Sequence, residues 1–403
     1  MAHMGPNLEW IVLGVLLSAI IYSLLTKVIS KTILTLPIIF MAVGFSCAPI
    51  AKTLGSTEEL RASALGLAEI TLILVLFSDA SHVRFGQLKN SFTIPLRMLV
   101  IGMPLTIGLG TLVVFLISPE NGLAIALLTA AVLTPTDAAL GQTVVSSPDV
   151  PQRIRQAINV ESGLNDGLVL PFVLLGAILA STLMDGTDGL AFMALAEIVL
   201  GPLVGIAVGW LSARALDYAQ QRDWIIKSAQ GVVFLSTAFV SFMAADIVGG
   251  NGFIAAFVAG AVFGNTYCNA AHFISDFMEG AGQLLTMASF LVFGALMLPD
   301  GLTHMTWATG LIAVAFLTIV RMLPVWLSLL GTGLVVKEKL FLGWFGPRGL
   351  ASILFTLIMM NEFDFPHEEE LLACVSLTVA LSVLLHGISA NPLVKRLRFT
   401  ATK

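Results

Sequence analysis

The stretch "AVLTPTDAALG", residues 131–141, sits inside an apolar run extending from about residue 121 to 146. Pro135 lacks a backbone donor and its ring clashes with the preceding turn, so a helix breaks there. Thr134 and Thr136 flank the proline, and Asp137 follows it. Broken helices are tolerated inside a membrane where they line a cavity, and their free carbonyls and helix ends can hold ions. The fold therefore turns on whether the surrounding chain spans a bilayer.

Composition says that it does. Of the 403 residues, 57% are hydrophobic and only 11% are charged, against roughly 25% charged in a soluble domain. Apolar runs of about 20 residues recur from end to end, the mark of a polytopic helical membrane protein. The alternation of a transmembrane β-barrel is absent. The first apolar run lacks a basic start and is long enough to span, so it does not read as a cleavable signal. The opening "MAHM" resembles an expression scar over residues 1–3, with Met4 as the native start. Cys47, Cys268 and Cys374 show no metal-ligand spacing and read as buried thiols.

Breaks at Pro, Gly and charged clusters give thirteen expected spans: 8–26, 32–50, 64–82, 92–117, 121–146, 152–182, 189–213, 228–248, 251–267, 277–299, 304–330, 339–361 and 371–393. Of the 20 Lys and Arg, Arg97, Arg321 and Arg348 fall inside spans. With the N-terminus outside, 15 of the others lie on the inner side and only Lys52 and Arg61 outside. The expected orientation is N-out and C-in. The outer loops are acidic, including Glu58, Glu59, Asp185, Asp188 and Glu368–Glu370. They account for most of the net charge of −5, which argues for no nucleic-acid partner.

Charges within a bilayer cost on the order of 3 kcal/mol or more each and by default mark an ion path or pair with one another. The sixth span holds "NVESGLNDGLVL", residues 159–170, with Glu161 and Asp166. Spans five and six turn back near residue 151; Asp137 lies 14 residues before that turn and Asp166 15 after it. At 1.5 Å per residue both sit roughly 20 Å from the inner end, near mid-membrane. Ser162 and Asp166 share one helix face, and Glu161 and Asn165 a neighbouring one. The first face is expected to meet Asp137 and the broken backbone as hard oxygen ligands for a small cation. The second needs a cationic partner, and Arg321 and Arg348 are the deep candidates.

Arg348 lies in "GWFGPRGLAS", where Pro347 between two glycines reads as a second break. Its span is seven after the fifth, so the two breaks have opposite orientation, the mark of an inverted repeat with a central site. The expected pairing is spans 4–6 with spans 11–13. Asp79 lies near the inner end of the third span, where it reads either as a gate for cation entry or as an interfacial acid near Arg84. "GNGFIAAFVAGAVFGN" is rich in small residues and favours close helix packing.

The stretches from "LTPTD" to "ESGLNDGLVLP", "GNGFIAAFVAGAVFGN" and "GWFGPRGLAS" resemble the monovalent cation/proton antiporters of the NhaP and sodium/hydrogen exchanger branch, across essentially the whole chain. The resemblance implies a thirteen-helix homodimer in the plasma membrane, serving pH homeostasis, without a cofactor and not an enzyme. It implies a core domain (92–182 and 304–396) moving against a dimerisation domain (8–90 and 189–299). Carried over, Asp166 resembles the essential carboxylate, and Thr136 through its backbone, Asp137 and Ser162 resemble the cation ligands. Glu161 with Arg348, or with Arg321, resembles the internal salt bridge, and Asn165 before Asp166 resembles the electroneutral branch. "LFSDAS" stands where many relatives have an acid followed by two glycines.

A proton and a Na⁺ (or K⁺ or Li⁺) then compete for Asp166. If only the neutralised site changes sides, obligatory one-for-one exchange follows, because the bare charge makes unloaded movement costly. Other readings compete with this, among them a symporter of organic anions, which would want extra substrate-binding groups. A passive cation channel wants a continuous polar lining, and an intramembrane aspartyl protease would use Asp137 and Asp166 as a dyad.

Overall fold

The computed structural model describes residues 6–29, 32–54, 57–83, 93–137, 140–145, 147, 149–185, 190–267 and 272–397. Among these there is no strand. The helices in chain order are α1 Pro6–Ile29, α2 Leu36–Leu54, α3 Thr57–His82, α4 Thr93–Arg97, α5 Met103–Ile117, α6 Gly122–Val132, α7 Gln142–Val145, α8 Gln152–Asp185 and α9 Leu190–Gln221. They continue as α10 Lys227–Ile247, α11 Gly252–Thr266, α12 His272–Val292, α13 Leu298–Thr303, α14 Trp307–Leu317, α15 Ile319–Ser328, α16 Val336–Trp344, α17 Leu350–Glu362 and α18 Glu368–Leu397.

Among the described residues, eight helical stretches are long and apolar enough to cross a membrane, and five more are shorter apolar helices. The distribution of polarity is that of a membrane protein. Leu24 and Ile247 point outward at 79% and 80% exposure, whereas Glu161, Asn165, Arg321 and Arg348 are buried. In water that arrangement would be inside out; in hydrocarbon the exposed leucines cost nothing and the ionic groups need partners.

Local sequence explains the joints. α4 runs into α5 through a π-helical turn at Met98–Gly102, and α12 into α13 through another at Phe293–Met297. α11 starts where Asn251 accepts hydrogen bonds from the Phe253 and Ile254 amides, both 3.1 Å, an N-cap. Along it, Gly260 and Gly264 press against the backbone of Phe77 and Ser81 in α3. The expected close packing of this small-residue helix is thus its contact with α3 and, on the other side, α9.

Two expected spans are helical only in part. The run 121–146 is helical over α6 and α7, with residues 133–137 unwound between them. The run 339–361 is helical at α16 and α17, with 345–349 unwound. A third interruption, at Thr318 (φ −119°, ψ −96°) between α14 and α15, had no proline or glycine to announce it. Residues 1–3, Arg84 and Cys268 lie outside the described residues. Cys374 is buried, and neither it nor Cys47 is in a disulfide.

Candidate functional site

The unwound segments 133–137 and 345–349 cross, and each supplies what the other lacks. Because α6 stops at Val132, the carbonyls that follow lose their helical donors. Arg348, fully buried, donates through Nη1 to the Thr134 carbonyl and, at 3.2 Å, to that of Pro135. Ser352 Oγ donates to the Val132 carbonyl at 2.7 Å. In the other direction, the Asp137 amide donates to the Pro347 carbonyl at 2.8 Å. The Leu350 amide, at the start of α17, donates to Asp137 Oδ2 at 2.9 Å. A carboxylate at a helix N-terminus is favoured by the helix dipole.

The glycines of "FGPRG" make this crossing possible. A Cβ on Gly346 would come within 2.6 Å of Arg321 Cζ, and one on Gly349 would collide with the Asp137 carboxylate. Each glycine lets a buried ionic side chain from another helix lie against the backbone of the second segment.

α8 contributes the remaining groups. Glu161 and Arg321 form a bidentate pair at 2.5 and 2.7 Å, with side chains 3% and 4% exposed. One face over, Ser162 Oγ lies 3.0 Å from Thr136 Oγ1, to which Asn165 Nδ2 donates at 2.6 Å. Asp166 is buried, and its Oδ1 and Asn165 Oδ1 have no hydrogen-bond partner among the described residues. The carboxylates that act electrostatically on Asp166 are Asp79, Asp137 and Glu161. Asp79 reaches this neighbourhood because α3 packs on α8 at Gly163, where a Cβ would lie 3.7 Å from Asp79 Cβ. The arrangement is a set of hard oxygens around a buried carboxylate, chemistry suited to a small hard cation or a proton.

Residues 16–396 match the family model described as "Sodium/hydrogen exchanger, transmembrane". The chain belongs to this family. The exchanger chain is 25% identical over 387 residues to the K(+)/H(+) antiporter NhaP2 of Shewanella sp. (strain ANA-3), which covers 94% of this chain and 66% of that protein. It is 28% identical over 311 residues to the Na(+)/H(+) antiporter NhaG of Bacillus atrophaeus, 72% of this chain and 57% of the other. The chain thus spans about two thirds or less of the length of these relatives. Its fold is that of the sodium proton antiporter MjNhaP1 from Methanocaldococcus jannaschii at pH 8, with a TM-score of 0.74, 19% identity and coverage of 98% and 100%.

Within the exchanger fold, several expected contacts are rearranged. Glu161 pairs with Arg321, whereas Arg348 serves the carbonyls of the first unwound segment. Asn165 does not share the fate of Glu161, four residues earlier; its side chain turns to Thr136. Thr134 uses its own hydroxyl on the Ala130 carbonyl at 2.7 Å. Sequence reasoning passed over Ser352, Ser382 and His386, all buried: Ser382 bonds the Arg348 amide, and Ser352 and His386 bond the last carbonyls of α6 and α16, where the unwound segments begin. A lone histidine in the apolar run of α18 was the available signal. A separate cleft of about 570 Å³, lined by His304, His367 and Glu368–Glu370 among others, contains none of the expected site residues.

Proposed function

We propose that this chain is a secondary antiporter that exchanges a monovalent cation for H⁺ across the plasma membrane. The observation that supports this reading most directly is the Asp166 carboxylate, buried in an apolar bundle with one oxygen unpartnered, beside the Thr136, Ser162 and Asn165 side chains. Asp166 binds either the cation or a proton. Thr136, Ser162 and Asp137 supply the further oxygens, and Asp79 lines the approach. Asn165 cannot titrate, Asp137 is engaged by the Leu350 amide and Glu161 by Arg321; with Asp79 taken as part of the approach, a single carboxylate carries the exchanged charge and one cation moves for one proton. The transported cation is taken as Na⁺, with K⁺ and Li⁺ as the alternatives; the relatives named above include one K⁺ and one Na⁺ antiporter.

The same reading takes the eight long and five shorter apolar helices as thirteen spans, N-out and C-in. The two unwound segments then belong to inverted repeats, spans 4–6 and 11–13. Residues 92–182 and 304–396 form a moving core, and 8–90 and 189–299 a dimerisation scaffold in a homodimer. The bare Asp166 charge holds the unloaded core in place, because carrying it through hydrocarbon is costly.

The test is a pH-sensitive dye in reconstituted vesicles, with Na⁺, K⁺ and Li⁺ added in turn. The protein should alkalinise or acidify the lumen according to the cation gradient, and Asp166→Asn should abolish the signal. Retained exchange in that variant removes Asp166 from its role. An imposed membrane potential should leave the rate unchanged; acceleration would overturn one-for-one exchange.

A further inference from the structure

His386 is 1% exposed, in the middle of α18, and takes no part in the exchange described above. Its ring nevertheless ends on the second unwound segment. Nε2 lies 2.8 Å from the carbonyl of Trp344, the last residue of α16. Nδ1 lies 3.2 Å from Ser382 Oγ and 2.9 Å from the Ser382 carbonyl. Ser382 Oγ in turn accepts the Arg348 amide at 2.7 Å. The ring also stacks on the Trp344 indole, with centroids 5.1 Å apart at 30°. The charged side chains acting on it are Arg348 and Arg321.

A carbonyl oxygen only accepts, so the Trp344 contact places a proton on Nε2. Nδ1 faces both the Ser382 carbonyl at 2.9 Å and the Ser382 hydroxyl at 3.2 Å; it donates to the carbonyl when protonated and accepts from the hydroxyl when not, and in either state Ser382 Oγ keeps a lone pair for the Arg348 amide. One imidazole thereby fixes both ends of the unwound segment: its start, through the Trp344 carbonyl, and Arg348, through Ser382. The segment between them presents the Pro347 carbonyl to the Asp137 amide, and α17 begins with the Leu350 amide on the Asp137 carboxylate.

We propose that His386 is a positioning residue for cation binding, acting through Ser382 and residues 345–349 to hold the Asp137 carboxylate at the Asp166 site. This rests on the antiport reading for the role of Asp137, and its test separates the half-saturating cation concentration from the maximal rate, with Asp166→Asn reporting on that reading.

The experiment measures the cation concentration giving half-maximal dye response, and the maximal rate, for His386→Ala, His386→Gln and Ser382→Ala in vesicles, with Asp166→Asn alongside. His386→Ala should raise the half-saturating concentration about tenfold while the maximal rate falls less. Ser382→Ala should give a smaller rise. His386→Gln, whose amide can still reach the Trp344 carbonyl, should stay within about threefold of the unmodified protein. If His386→Ala does not fold, His386→Asn, too short for Trp344, takes its place with the same expectation. A purely structural role predicts fewer folded molecules with unchanged half-saturation, and that result overturns the proposal, as does glutamine behaving like alanine. Exchange surviving in Asp166→Asn would instead strike the antiport reading, whatever the His386 variants do.

Discussion

The two unwound segments interrupt their helices alike, each at a proline, yet their chemistry is opposite. Residues 133–137 present acceptors: the Thr134 and Pro135 carbonyls and the Asp137 carboxylate. Residues 345–349 bring the cation, Arg348, and stand next to the Leu350 amide that opens α17. Segment one is satisfied by a charged donor; in segment two the Arg348 amide donates to the Ser382 hydroxyl, the Pro347 carbonyl takes the Asp137 amide, and His386 meets the Trp344 carbonyl just before it. A proline break alone therefore does not define an ion site. What distinguishes the first segment is that its Thr136 hydroxyl meets Ser162 and Asn165 of α8, whereas the charge of the second is consumed in holding the first together.

The strongest way to break this complementarity is Arg348→Ala. It leaves two buried carbonyls without donors, at about 1–3 kcal/mol each, and empties the space of a large, fully buried side chain. Detergent melting should show a large fall in Tm with little folded protein. Arg348→Lys, a point charge without the planar fork, should recover part of it. Recovery to the full Tm would show that only the charge matters.

A smaller effect is expected from Gly349→Ala, whose methyl would collide with the Asp137 carboxylate. Overpacking of this kind costs about 1–3 kcal/mol, and the displaced Asp137 should weaken cation binding as well. A variant that melts lower but binds the cation normally would separate the crossing from the site. Ser352→Ala should matter least. It removes one donor from the Val132 carbonyl, worth about 1 kcal/mol, and should lower Tm by a few degrees without altering cation affinity.

Much of this was legible before any coordinates. Pro135 and Pro347 marked where helices stop, because the missing donor is a local property. The clustering of Ser162 and Asp166 on one face follows from helical period alone. Partner choice did not follow. Arg321 and Arg348 are both deep, and which one meets Glu161 depends on how α15 and residues 345–349 are rotated about α8, a tertiary matter. Asn165 lies about 40° round α8 from Glu161, toward Ser162, and meets Thr136 alongside that serine, so grouping it with Glu161 is too coarse. The interruption at Thr318 carries no proline or glycine, whereas the π-helical turns at Met98–Gly102 and Phe293–Met297 each contain a glycine and are followed two residues later by Pro104 or Pro299, a signal the span boundaries did not use. Asp79 reads from sequence as an acid at a span end, yet α3 brings it against Gly163, beside the ESGLND stretch.

Four separate ties span the crossing: Arg348 to Thr134 and Pro135, Ser352 to Val132, Asp137 to Pro347, and Leu350 to Asp137. Sliding one segment past the other would sever all four at once, at buried positions. The crossing is accordingly a keystone: the two segments hold together as one piece.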